Sequence, residues 1–240
     1  MHLKSLYPDP PQNPFLLNAY SLLAGHPGVA DWPDFTAHVE YHTGKKYSVK
    51  ELCARISHLA TALGAPTSLG GLGLEAGSEE RIGIMSDNSS VSLRMTSIRS
   101  TYLVLAWQDY VILVVALLKI AIPFVPISCY ATSFELRHVL SLTQVTRLFV
   151  APPYLSRALP ITTKLGISSR EIYVMNEDIP GQVSVESLIK RVGEKQIPEE
   201  QVRTVPKDTL GYLIPSSGTT GLPKGSSMTS RQDRVLWYLY

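Results

Sequence analysis

Hydrophobic and polar positions change their spacing repeatedly along this chain, and the changes mark out elements. In "YSVKELCARISHLATALG", Leu52, Ile56, Leu59 and Leu63 recur at helical spacing on one face. Ser48 and Glu51 precede that face at the spacing of a capping box, so a helix is predicted to start there. From Arg81 onward, short apolar runs alternate with longer periodic ones. "RIGIM", "IPFVPI", "TRLFVA", "EIYVM" and "TLGYLI" are predicted strands. The segments Asp109–Ala121, "SFELRHVLSL" behind the Thr132/Glu135 capping box, Tyr154–Leu165 and Ser184–Val192 are predicted helices, with a break expected at Pro160. Strands separated by helices of this length imply an α/β fold with parallel pairing and right-handed crossovers.

The first 35 residues are proline-rich with little periodicity, and they are expected to form an irregular arm. "LGGLGLEAG" contains Gly71-Leu72-Gly73, but it follows a helix and precedes a strand. A dinucleotide fingerprint needs the opposite order, so a flexible connector is expected here. Tyr110–Ile127 is apolar enough to suggest a membrane span. Lys119 near its middle and Pro123 and Pro126 near its end favour a buried helix running into a buried strand.

Composition narrows the classes further. Apolar residues make up 45% and charged residues 18%, which is globular rather than disordered. A net charge of +2 without clustered Lys/Arg (Lys45-Lys46 is the longest basic run noted) gives no case for nucleic acid or an anionic membrane surface. Cys53 and Cys129, far apart and outside any CxxC pair, read as small buried hydrophobes in a reducing compartment. His58 has no second metal-type ligand at i±3 or i±4. No signal peptide is evident, and the Asn88-Ser89-Ser90 sequon is attributed to chance.

The chemistry concentrates in "PSSGTTGLPKG", residues 215–225, directly after the last predicted strand. Backbone N–H groups of such a loop can surround an anion. Gly218, Gly221 and Gly225 permit φ > 0 and close approach of a phosphate. Ser216, Ser217, Thr219 and Thr220 supply hydroxyls, Lys224 supplies a positive charge, and Pro223 fixes the backbone before it. The loop is not that of the P-loop NTPases, because Pro223 and Gly225 stand where glycine and Ser/Thr would flank the lysine.

"SSGTTGLPKG" resembles the phosphate-binding signature of the adenylate-forming (AMP-binding) superfamily, whose members include acyl-CoA synthetases, 4-coumarate–CoA ligases, luciferases and peptide-synthetase adenylation domains. "TGKKYSVKELCARISHLATAL", "ERIGIMSDNS" and "ALLKIAIPFVPISCYATSFELRHVL" resemble earlier segments of that family in the same order, so the likeness covers roughly residues 31–225. It implies part of the large N-terminal domain, incomplete. The implied boundaries are an irregular arm over 1–35, the adenylation-domain portion over 36–225 with an insertion at about 91–107, and a divergent tail over 226–240.

The implied reaction joins a small carboxylic acid to ATP as an acyl-adenylate, releasing pyrophosphate. A thiol, usually coenzyme A, then takes the acyl group, with magnesium sharing the phosphate charge. By direct match Ser216, Ser217, Gly218, Thr219, Thr220, Gly221, Lys224 and Gly225 are the expected ATP contacts. No position matches the family's acid pocket, ribose-holding aspartate, hinge or catalytic lysine. The chain is therefore expected to lack complete activity. The alternative is a non-catalytic fragment or a phosphate- or nucleotide-binding module.

Two departures bear on that alternative. The inserted "SVSLRMTSIRSTYLVLAW" reads either as a retained intron or as a surface insertion. "SSMTSRQDRVLWYLY" lacks the apolar strand and histidine that the family places after the signature, which fits a splice or frame artefact or a divergent end. The cytoplasm is the default location, with a peroxisomal full-length form left open.

Overall fold

The computed structural model describes residues 18, 20, 32–39, 46–86, 106–206, 208–216 and 224–229. Apolar side chains alternate along strands that are covered on both faces, and this sets a three-layer arrangement of helix, sheet and helix. A short antiparallel pair, β1 (Thr36–Val39) and β2 (Lys46–Ser48), precedes helix α1 (Val49–Gly64). Then follow β3 (Ile82–Ser86), α2 (Ala106–Lys119), β4 (Phe124–Ser128), α3 (Ser133–Leu142), β5 (Arg147–Val150) and α4 (Pro152–Lys164). The described chain continues through β6 (Ile172–Val174), β7 (Val183–Ser184), α5 (Val185–Glu194), β8 (Leu210–Ser216) and β9 (Lys224–Thr229). Seven strands form the main sheet in the order β7-β6-β5-β3-β4-β8-β9, parallel except for the antiparallel β8–β9 pair.

Strand β3 is central and buried at all five positions. Ile82 and Ile84 join Phe124, Phe149 and Tyr173 on the face that α1, α2 and α5 cover. Met85, Val125, Ile127, Leu148 and Val150 lie on the other face, under α3 and α4. Phe149 and Tyr173 stack at 4.7 Å between ring centroids on neighbouring strands.

Several local expectations change. Ser48 caps α1 by accepting from the Glu51 N–H at 3.2 Å, without the reciprocal bond, so this cap is one-sided. Thr132 and Glu135 do form a full capping box. Helix α4 runs unbroken through Pro160, because the proline and Ser156, whose carbonyl loses its N–H partner, both lie on the exposed face. The glycine-rich connector is a tight, bonded turn packed on the end of α1. Leu72 and Leu74 donate to Ala62 and Leu63 at 2.8 and 3.0 Å, and Leu74 is fully buried. A Cβ on Gly71 would stand 2.1 Å from the Ala65 carbonyl oxygen, so glycine is there for close approach.

The apolar run Tyr110–Ile127 divides between α2 and β4, and no helix among the described residues is long and apolar enough to cross a membrane. Lys119 is buried, donating to Ser57 Oγ at 2.6 Å and paired with Glu199 at 2.9 Å. Cys129 is buried, whereas Cys53 is only half-buried; neither forms a disulfide. Of the expected irregular arm, Asn18 is buried, its amide donating at 3.0 Å to the carbonyls of Lys119 and Arg203. The 91–107 insertion lies outside the described residues except Ala106 and Trp107, which open α2. Residues 224–229 form a strand, a polar one (KGSSMT), in line with the expected lack of an apolar strand after the signature.

Candidate phosphate-binding hairpin

Strand β8 runs parallel to β4, so its last residue, Ser216, lies at the carboxyl end of the sheet with Ser86 of β3 and Ser128 of β4. Open α/β sheets bind ligands outside this end, where successive connections leave in opposite directions. Here the chain leaves β3 toward β4 on one side and leaves β5 toward β6 on the other. The strand order places β8 two strands from β3, about 10 Å away at ordinary strand spacing.

Ser216 and Lys224 stand directly opposite each other in the β8–β9 ladder, and Gly225 stands opposite Pro215. The signature segment therefore closes an antiparallel hairpin, with Ser216 and Lys224 at the loop's two ends. The described segment after the loop, Lys224–Thr229, is a strand rather than a helix, so it brings no helix dipole of its own. Ser217, Gly218, Thr219, Thr220 and Gly221 lie outside the described residues. Gly225 corrects one expectation: it is an exposed strand residue, not among those with positive φ, and among the described residues an added Cβ would meet only Leu142 Cδ2, at 3.8 Å.

A second polar cluster occupies the same end of the sheet, near β6. Asp109 is buried at the start of α2 and accepts from the Asn176 N–H at 2.6 Å. Arg55 of α1 lies 3.5 Å from Asp109 and 2.9 Å from Glu186 of α5. Burial pushes the Asp109 carboxyl above its usual range, outweighing the Asn176 N–H and the Arg55 charge. This cluster ties three helices together, with four strand spacings between β6 and β8. Sequence reading took Asp109 only as a helix start, since nothing local couples it to an arginine 54 residues away.

At the opposite end of the sheet, Arg147 pairs with Glu80 at 3.2 Å and Glu171 at 2.5 Å. Thr146 donates to Glu80 at 2.5 Å. Burial would raise the Glu80 carboxyl, but the bonds from Arg147 and Thr146 and the Arg147 charge carry it below the usual range. Among the described residues, no three His, Cys, Asp or Glu side chains gather as a metal site.

A parallel sheet covered on both faces, with a glycine- and hydroxyl-rich hairpin at its carboxyl end, defines an α/β protein of the nucleotide-binding kind. A family profile described as AMP-binding enzyme matches residues 104–233, more than half of the chain. The chain belongs to that family, the adenylate-forming enzymes. The match runs past Gly225, the end of the resemblance expected from the sequence.

Solved structures share the fold. An anthranilate CoA ligase in complex with anthranoyl-AMP is 19% identical with a TM-score of 0.67, over 91% of this chain and 36% of that one. A luciferase-like enzyme from the mealworm Zophobas morio gives 17% and 0.68, over 92% and 44%. The A domain of a carboxylic acid reductase from Segniliparus rugosus, in complex with AMP and a carboxylic acid, gives 17% and 0.64, over 90% and 36%. The chain thus spans well under half the length of these relatives. No curated sequence matches it.

Proposed function

We propose that this chain supplies the ATP-phosphate-holding part of an ATP-dependent acid–thiol ligase. In the whole reaction a carboxylate oxygen attacks the α-phosphorus of ATP, the bond to the β-phosphate oxygen breaks, and pyrophosphate leaves. The thiol of coenzyme A then attacks the acyl carbon, and AMP leaves. Ser216, Ser217, Gly218, Thr219, Thr220, Gly221, Lys224 and Gly225 hold the β- and γ-phosphates through N–H groups, hydroxyls and one ammonium. The observation that carries this reading is the place of the signature: a hairpin at the carboxyl end of β8, with Ser216 paired to Lys224. Magnesium fits as a companion of the phosphates, bringing further positive charge to them, since the described residues offer it no carboxylate cage.

The acid, the ribose and the thiol have no matched residues here, so these 240 residues alone are expected to bind MgATP without releasing pyrophosphate. Isothermal titration with MgATP tests the first half. Lys224→Ala removes charge-assisted bonds worth about 1.5–3 kcal/mol, so affinity should fall about tenfold or more. Equal affinity in the variant would remove Lys224 from the site. Hydroxylamine trapping over a panel of carboxylic acids tests the second half. Acyl hydroxamate formed above the Lys224→Ala background would show that the chain adenylates unaided.

A further inference from the structure

The β8–β9 hairpin is joined to the parallel sheet far less firmly than its own two strands are joined to each other. Between β4 and β8 the register holds one pair, Phe124 with Tyr212, whose rings stack at 5.5 Å. Between β8 and β9 it runs unbroken from Tyr212–Met228 to Ser216–Lys224. The cause lies in two prolines. In a parallel strand each residue addresses one neighbouring strand, and alternate residues address opposite neighbours.

The Ile82 N–H donates to the Pro123 carbonyl at 3.0 Å, so Pro123 and Val125 address β3 while Phe124 and Pro126 address β8. The Phe124–Tyr212 pair therefore uses the Phe124 N–H toward the Gly211 carbonyl and the Leu213 N–H toward the Phe124 carbonyl. The next two rungs would need an N–H from residue 126 and then one from residue 215. Both are proline, and neither rung can form. Pro126 leaves the β3–β4 ladder intact because that ladder never uses its nitrogen. Pro215 leaves β8–β9 intact because it faces Gly225 at a non-bonded pair. A register shift at Gly211 adds an irregularity at the base of the hairpin, where β-bulges bend strands.

We propose that the hairpin opens from β4 as one unit, pivoting at Gly211–Tyr212. Above the pivot no further β4–β8 pair forms among the described residues, and Leu213 packs against the α3/α4 face. Opening of this kind leaves the β8–β9 bonds made while exposing the two amides of the single rung.

NMR-detected hydrogen exchange on the full chain reads this. The amides of Phe124 and Leu213 should exchange together, at least about tenfold faster than those of Ile82, Ile84, Ile214 and Ser226. Replacing both prolines (Pro126→Val with Pro215→Val) supplies the missing donors, and should slow Phe124 and Leu213 about tenfold while leaving β3 unchanged. Exchange of Phe124 and Leu213 at the β3 rate would overturn the pivot, as would an unchanged rate in a folded double variant. If that variant misfolds, the wild-type comparison decides alone.

Discussion

Strands β3 and β8 both run parallel to β4, one on each side, and the sheet treats them very differently. Strand β3 pairs with β4 at five successive positions and with β5 at four, and all its residues are buried. Strand β8 pairs with β4 at one, and Ile214 is 42% exposed. The same neighbour offers a continuous ladder on one side and a proline-interrupted one on the other. The first arrangement makes β3 part of a rigid reference frame, and the second leaves β8 joined to that frame by one pair. The contrast also separates two kinds of substitution: those in the frame should act on stability, and those in the hairpin on ligand binding.

The largest effect expected from this division is at Phe149. It is fully buried in β5, stacked on Tyr173 and packed beneath α1 and α2. Phe149→Ala removes apolar area and leaves a cavity in a dense interior, so urea unfolding should show a loss of about 3–5 kcal/mol. A loss below about 1 kcal/mol, the range of exposed positions, would mean that the frame repacks freely and the contrast is false.

A smaller and pH-dependent effect is expected where Glu80 ties the start of β3 to Arg147 on β5. The Glu80 carboxyl lies below its ordinary value of 4.5 in the folded protein, so the folded state favours its ionised form. Its contribution is present above that value and is lost as pH falls through the lower folded one. Glu80→Gln should cost about 2 kcal/mol at neutral pH, the scale of hydrogen bonds to a charged group, and progressively less as pH falls below 4.5. Asp109 has the opposite sign. Its raised carboxyl favours the protonated form in the folded state, so its contribution is full below 3.8 and fades as pH rises through the folded value. Acid unfolding of Glu80→Gln that keeps the wild-type midpoint and slope would remove this tie from the frame.

The frame was mostly legible in the sequence, because β3 to β6 and the helices between them are buried on defined faces and so carry clear periodicity. Elements without that periodicity were missed. The short strands "TAHV" and "KYS" make a small separate sheet, and β7 is two residues long. Three helix ends were also unmarked. Ala121, Gln144 and Gln196 take positive φ where glycine is the usual signal. The buried residue after each, Ile122, Val145 and Ile197, donates back to the helix at 3.0 to 3.1 Å, fixing a turn that no glycine announces. In the site, the loop's chemistry was plain from eleven residues. That it closes a hairpin was not, because β9 is a polar edge strand that pairs, among the described residues, with β8 alone. The seam was hidden for another reason. Pro126 and Pro215 each mark a local irregularity, and only the register shows that both address the same gap.

Gly225 carries the smallest stability effect and the sharpest use of the comparison. A glycine in a strand has one of three physical reasons: a positive φ, a neighbour too close for a Cβ, or a ligand that approaches the backbone. The first does not apply, since Gly225 is absent from the positive-φ residues. The second does not apply either, because the nearest atom to an added Cβ is 3.8 Å away, an ordinary contact. Gly225→Ala should therefore leave the unfolding free energy within about 0.5 kcal/mol of wild type. If phosphates are held against this backbone, the same variant should bind MgATP more weakly while staying as stable. Titration and urea unfolding of one preparation separate the two quantities. Weaker binding at equal stability would leave the ligand as the reason for the glycine; unchanged binding would take Gly225 out of the site and confine the grip to residues 216–224.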